Sequence, residues 1–242
     1  MEKVGQLIAG RLRGLARDLD TVASNMANSH TPGFKKRVCS FTASAPEGGR
    51  ALEQGEARPL LEPGTEVSVD HSSGELRRTG RNLDVAIKGE GYFVVQTADG
   101  RRYTRRGRFY RSSGGRLVDF EGRPVLASGG TLEIPQDAGR IRITSSGRVM
   151  ADGRELGRLT VVNVEESSRL EPESGGLFRY TGNDRPTRAT GATILQGAVE
   201  ESNVEPVKQM VKLLRTSRQY QQQTRMLKQL GDTRRELVNT LL

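Results

Sequence analysis

Six arginines stand within eleven residues at Arg101–Arg111 (RRYTRRGRFYR), interleaved with Tyr103, Phe109 and Tyr110. Arginine beside aromatic rings on a sheet is the chemistry that grips a single nucleic-acid strand, by charge and stacking. The same spacing also suits a plain hairpin that turns its arginines to solvent and its aromatics to a core. The other reactive residue types are sparse. His30 and His71 lack the serine and carboxylate context of a nucleophilic triad. Cys39 is the only cysteine, so neither an internal disulfide nor a zinc cluster is expected. Gly89-Glu90-Gly91 lies between two strand-like runs and opens no helix, so a phosphate-cradling loop is missing. These residues point to no enzyme, no cofactor and no metal.

The elements that must carry any function lie at the two ends. After Val204-Glu205-Pro206, a helix start signal, one residue at every third or fourth step forms a seam. It runs Met210, Leu213, Ser217, Tyr220, Thr224, Leu227, Gly231, Arg234, Val238, Leu241. That alternation is a heptad pattern, the mark of a helix packed along another. Small residues at Ser217, Thr224 and Gly231 let a second backbone approach. A helix over 206–242 would be roughly 50 Å long, too long for an ordinary core of this size. The N-terminal end repeats the pattern at Ile8, Leu12, Leu15, Leu19, Val22 and Met26. Gly5, Gly10 and Gly14 weaken this helix by about 1 kcal/mol each, so its stability must come from packing. Asn28-Ser29-His30-Thr31-Pro32-Gly33 ends it.

Charge follows the same division. The net charge of +9 sits on the ends: residues 1–37 carry a net +4, residues 206–242 a net +6, and the rest a net −1. Basic arms suit nucleic acid, an anionic membrane or acidic protein neighbours. No run of roughly 18 apolar residues marks a membrane span. Arg11 and Arg13 stand where a signal peptide would be apolar.

Between the ends, residues 35–75 read as polar, proline-containing connection. From Gly74 short β-type runs alternate with glycine turns: Leu83–Ile87, Tyr92–Thr97, Arg102–Thr104, Phe109–Arg111, Leu117–Phe120, Pro124–Leu126, Leu132–Ile134, Ile141–Thr144, Val149–Ala151 and Leu159–Val164. Asp99-Gly100 and Asp152-Gly153 are hairpin signals. Residues 165–190 read as loop. The expected fold is α+β. Residues 1–30 and 204–242 form a paired, coiled-coil-like helical core. Residues 31–73 and 190–203 are extended connections, and 74–189 is a central all-β module.

Three stretches resemble the flagellar rod and hook family of bacteria. The first is Leu19-Asp20-Thr21-Val22-Ala23-Ser24-Asn25-Met26-Ala27-Asn28 with Thr31-Pro32-Gly33-Phe34-Lys35. The second runs from Gly74-Glu75-Leu76 through Leu83-Asp84-Val85-Ala86-Ile87 and Gly89-Glu90-Gly91-Tyr92-Phe93 to Tyr103-Thr104-Arg105. The third is Gly197-Ala198-Val199-Glu200-Glu201-Ser202-Asn203-Val204 with Arg218-Gln219-Tyr220. Arg81-Asn82 departs from the family, which usually has a proline before the leucine, and Ser217 stands where glutamine is common. Gly157–Val162, the short length and the Leu241-Leu242 end place the resemblance nearer the family's proximal rod branch than its distal one. The resemblance implies a structural subunit that leaves the cytoplasm through the flagellar type III export apparatus. It implies assembly with other copies and other rod proteins in the periplasmic rod, with no nucleic acid and no membrane insertion. The seam positions Ile8 to Met26 and Met210 to Gly231 would then be the subunit interface.

Overall fold

The computed structural model describes residues 2–44 and 62–240, in an α+β fold of two compact units. The helical unit contains α1 (Glu2–Ala27), α2 (Pro206–Thr240) and a ribbon of β1 (Arg37–Ser44) with β2 (Glu62–Val69), all but the last residue of β2. The helices pack antiparallel. Asp18 forms an ion pair with Lys212 Nζ at 2.7 Å and accepts a hydrogen bond from Thr216 Oγ1 at 3.0 Å, and seven residues on, Asn25 meets Gln209, seven residues back.

Apolar residues from α1 seat this contact: Ile8, Leu15 and Val22 are buried. Between them the face is polar, with Asp18, Asn25, Gln209 and Thr216 all buried and bonded to one another. Leu12, Leu19 and Met26 are only half-buried, and on α2 Leu213, Ser217, Thr224 and Leu227 likewise; Gly231 is exposed. The face that meets α1 is thus turned away from Met210, which is exposed; Tyr220 lies on the side of Thr216 and is still 37 % exposed. Arg234, Val238 and Leu241 lie outside the residues whose side chains are described.

The ribbon occupies part of the stretch expected as connection. It lies on α1 where Gly14 makes room: a Cβ there would stand 2.8 Å from the Phe41 ring and 3.0 Å from Thr65. Arg17 Nη1 donates to Thr65 Oγ1 at 2.8 Å, and Asn25 brackets Arg37 by bonds to both its N–H and its carbonyl, each 2.8 Å. Gly14, a weak helix residue, is the point of close approach. Cys39 is buried in this unit, and burial pushes its thiol up.

The β unit holds residues 28–36 and 69–204. Its main sheet is six-stranded and antiparallel. In spatial order it runs Leu170–Pro172, Phe178–Tyr180, Gly100–Thr104, Tyr92–Thr97, Val161–Asn163 and Thr187–Arg188. Successive side chains of a strand point to opposite faces. Tyr92–Thr97 uses both. Phe93 and Val95 join the larger core with Val85, Phe109, Val125 and Val149, while Tyr92 and Val94 join a second core with Tyr103, Leu170 and Phe178. Phe93 and Phe109 meet edge to face at 5.2 Å.

The Asp152-Gly153 signal is a two-residue turn between the paired Ala151 and Arg154, with positive φ at both residues, as a type I′ hairpin requires. Its second strand, Arg154–Arg158, escapes sequence patterning because it is mostly polar. So do the three strands within 165–190, expected as loop; Leu170–Pro172 and Phe178–Tyr180 each bury a single residue. Leu132–Ile134 is not a strand, although Leu132 and Ile134 are buried.

Candidate functional site

Glu200 is the centre of a buried ionic clasp. It ends the strand Ala198–Glu200, which pairs with Leu76–Arg78, and is 1 % exposed. Its Oε1 accepts from Lys35 Nζ at 2.5 Å and from the Gly74 N–H at 3.0 Å, and Arg105 Nε lies 3.1 Å from Oε2. Lys35 also donates to the Ser72 carbonyl at 2.7 Å. Arg105 donates to the carbonyls of Gly91 at 2.7 Å and Gly89 at 2.8 Å. Burial pulls the Lys35 ammonium below its ordinary value, against the opposing pull of Glu200.

Backbone and amide bonds complete it. The Gly33 N–H donates to the Glu200 carbonyl at 2.7 Å, and Asn203 accepts from the Lys36 N–H at 2.7 Å while donating to the carbonyls of Asp70 and Ser72. Gly33 has φ +69°, and a Cβ there would lie 2.5 Å from the Arg105 carbonyl carbon, so glycine is required twice over. The clasp therefore ties four chain segments, residues 33–36, 70–74, 105 and 200–203, and through Arg105 the turn at 89–91. Thr31–Lys35, Tyr103–Arg105 and Gly197–Val204, far apart in sequence, meet in it.

His71 sits beside the clasp. Its Nδ1 is 2.8 Å from the Tyr92 hydroxyl, and its ring lies 5.3 Å from Phe178. Burial first, then the Lys35 and Arg105 cations, pull it down to about 4, with Asp70 opposing; burial raises Tyr92 to about 12. An unfolded histidine takes its proton near 6.5, the folded one only near 4. The unfolded chain thus binds more protons across that window. The contribution is full above pH 6.5 and is lost as pH falls towards 4. The ring is partly exposed, so we expect about 1–2 kcal/mol of the pH 7 to pH 4.5 loss to vanish in His71→Asn, measured by urea titration. Equal losses in both proteins would refute it.

Most of the arginines in the arginine-rich stretch resolve into internal fasteners, while two of its aromatics turn to the core as a plain hairpin requires. Arg102 Nε pairs with Glu173 at 2.6 Å, Arg105 serves the clasp, and Arg106 donates to the Gly175 carbonyl at 2.5 Å. Arg108 faces the buried Asp84 at 3.9 Å, and Arg111 donates to the Pro135 carbonyl at 2.9 Å. Tyr103 and Phe109 are buried.

The helical unit offers a different kind of site. On the first turns of α2, Val207, Met210, Val211 and Leu214 are 75, 56, 45 and 57 % exposed. Spaced i, i+3, i+4, i+7, they form one apolar stripe. The stripe faces away from Gln209 and Thr216, so in these turns the exposed face of α2 is more apolar than its buried one. Sequence patterning missed this, because it assigned Met210 to the inner seam and left Val207, Val211 and Leu214 outside it.

A long antiparallel helix pair with an open apolar face and a separate, clasped β unit define a structural building block for assembly. Residues 86–151 match the family described as the flagellar hook protein FlgE/F/G D1 domain, and residues 195–240 the flagellar basal body rod FlgEFG protein C-terminal family. The chain is 34 % identical to the flagellar basal-body rod protein FlgF of Caulobacter vibrioides over 94 % of its own length and 93 % of the relative's. It is 32 % identical to FlgF of Salmonella typhimurium over 85 % and 84 %, and 31 % identical to FlgG of Bacillus subtilis over 94 % and 95 %. The chain belongs to the flagellar basal-body rod protein family. It is a structural subunit of the basal body and not an enzyme. Among the described residues no helix is long and apolar enough to cross a membrane.

Proposed function

We propose that the chain is a subunit of the proximal rod, joining other copies and other rod proteins through its terminal helices, packed in coiled-coil fashion along the flagellar axis. The apolar stripe Val207-Met210-Val211-Leu214 carries this reading, because a soluble surface helix rarely leaves such a stripe uncovered. The proximal branch is favoured by the 34 % identity to the Caulobacter FlgF against 31 % to the Bacillus FlgG. Of the heptad positions proposed as interface, from Ile8 to Met26 and from Met210 to Gly231, Ile8, Leu15 and Val22 are buried within the subunit, so contacts to neighbours fall to the exposed ones, among them Met210, Tyr220 and Gly231. The subunit reaches the periplasm through the flagellar type III apparatus. Nucleic acid has no place in this reading, since four of the six arginines at 101–111 bond within the protein and Arg108 faces the buried Asp84.

The test is Leu214→Asp in a motile host whose own copy is deleted. The substitution is on the exposed face, so the purified protein should melt as wild type. The cells should export it, lack completed rods and fail to swim. Normal swimming would overturn the assignment of this face.

A further inference from the structure

The apolar stripe does not end in neutral surface. About one, two and three turns beyond Leu214 the same side of α2 presents Arg218, Gln221 and Arg225, all exposed. A helix seated on Val207, Met210, Val211 and Leu214 therefore meets a row of cations further on. Neither helix of this chain offers the matching row of carboxylates. By sequence α1 has only Glu2, Asp18 and Asp20, and Asp18 is buried against Lys212 and Thr216. By sequence α2 has only Asp232 and Glu236, against eight basic residues. A second copy would set arginine against arginine, and like charges facing one another oppose association.

We infer that the outer face of α2 takes a helix that is apolar over about two turns and acidic over the next two to three, contributed by a different protein, so that contacts with other copies of this chain fall to the remaining faces of the terminal helices. The inference rests on reading α2 as an assembly face and adds the chemistry of what covers it. Charge here selects the neighbour, while the apolar stripe supplies contact area.

The experiment supplies the missing chemistry from the chain itself. In the full-length Arg218→Glu/Arg225→Glu variant the stripe is kept and the row becomes acidic, so the variant is the stated partner for the wild type. Sedimentation at low salt should find each protein alone monomeric and the mixture associated at least about tenfold more tightly, with the advantage fading as salt is added. Leu214→Asp in either chain should abolish the complex. Wild type associating with itself as tightly as with the variant would overturn the inference, and so would a mixture that stays monomeric. If the reversed chain does not fold, Arg218→Gln/Arg225→Gln replaces it. That neutral form should self-associate more than wild type, and equal behaviour would overturn the inference. A monomeric mixture together with rodless Leu214→Asp cells would sink the acidic partner and leave the assembly face standing.

Discussion

Glu200→Gln should cost the β unit about 3–5 kcal/mol, although it changes one atom type in a side chain of nearly the same shape. The reason is charge. Lys35 and Arg105 are both almost fully buried, and Glu200 is the carboxylate that touches both. With glutamine the Gly74 N–H keeps its acceptor, but two cations remain out of water with no anion between them. Taking one partner from a buried ion pair is far more costly than never having built the pair. The loss should be visible in denaturant melts, and amide exchange should quicken first at Gly33 and Gly74, whose N–H groups bond to Glu200. Adding Lys35→Met to Glu200→Gln should recover part of the loss, because one of the stranded cations is gone and Arg105 keeps the carbonyls of Gly89 and Gly91. A loss below about 1 kcal/mol for Glu200→Gln alone would mean that water reaches the cluster and the clasp is not a dry one.

The two helices were legible in the sequence because apolar residues recur at heptad spacing, and that period survives in any environment. Which side of each helix turns inward was not. The inner face is held by Asp18, Asn25, Gln209 and Thr216, and polar residues are buried only when a partner across the contact satisfies them. That partner lies nearly two hundred positions away in the chain, so apolar counting drew Met210 inward. In the β unit, Tyr92–Thr97 declared itself through its run of Tyr, Phe and Val. Arg154–Arg158 did not, since its pairing with Arg148–Ala151 is set by the turn at Asp152-Gly153. The clasp was visible only as motifs. Lys35 and Glu200 stand 165 positions apart, and neither residue alone carries a sign of the other. The arginine-rich stretch misled for the same reason: a row of cations reads as a surface until the carboxylates and carbonyls that receive it are known.

The glycine that interrupts this stretch gives the sharpest test of that reading. Gly107 is buried, and its φ is one that alanine tolerates, so nothing in local backbone preference excludes a side chain there. Its neighbour does. A Cβ built on Gly107 falls 1.6 Å from the Val85 carbonyl oxygen and 3.1 Å from the Phe93 ring. The first of these is backbone, held where it is because the Val85 N–H donates to the Gly107 carbonyl at 2.8 Å. It cannot swing aside as a side chain would. Alanine must therefore separate the 105–109 segment from Val85, and with it the ring contact of Phe93 and Phe109. Gly107→Ala should lose about 3 kcal/mol or more, at or beyond the upper end of what overpacking costs. Gly114→Ala is the control: nothing lies within 4 Å of its Cβ, and its φ is likewise ordinary. It should stay within about 0.5 kcal/mol of wild type, or gain slightly from a less flexible unfolded chain. If the stretch were a surface grip, both glycines would accept alanine alike. Equal melting of the two variants would show that Gly107 is not pinned against Val85, and that the arginines on either side of it are freer than fasteners can be.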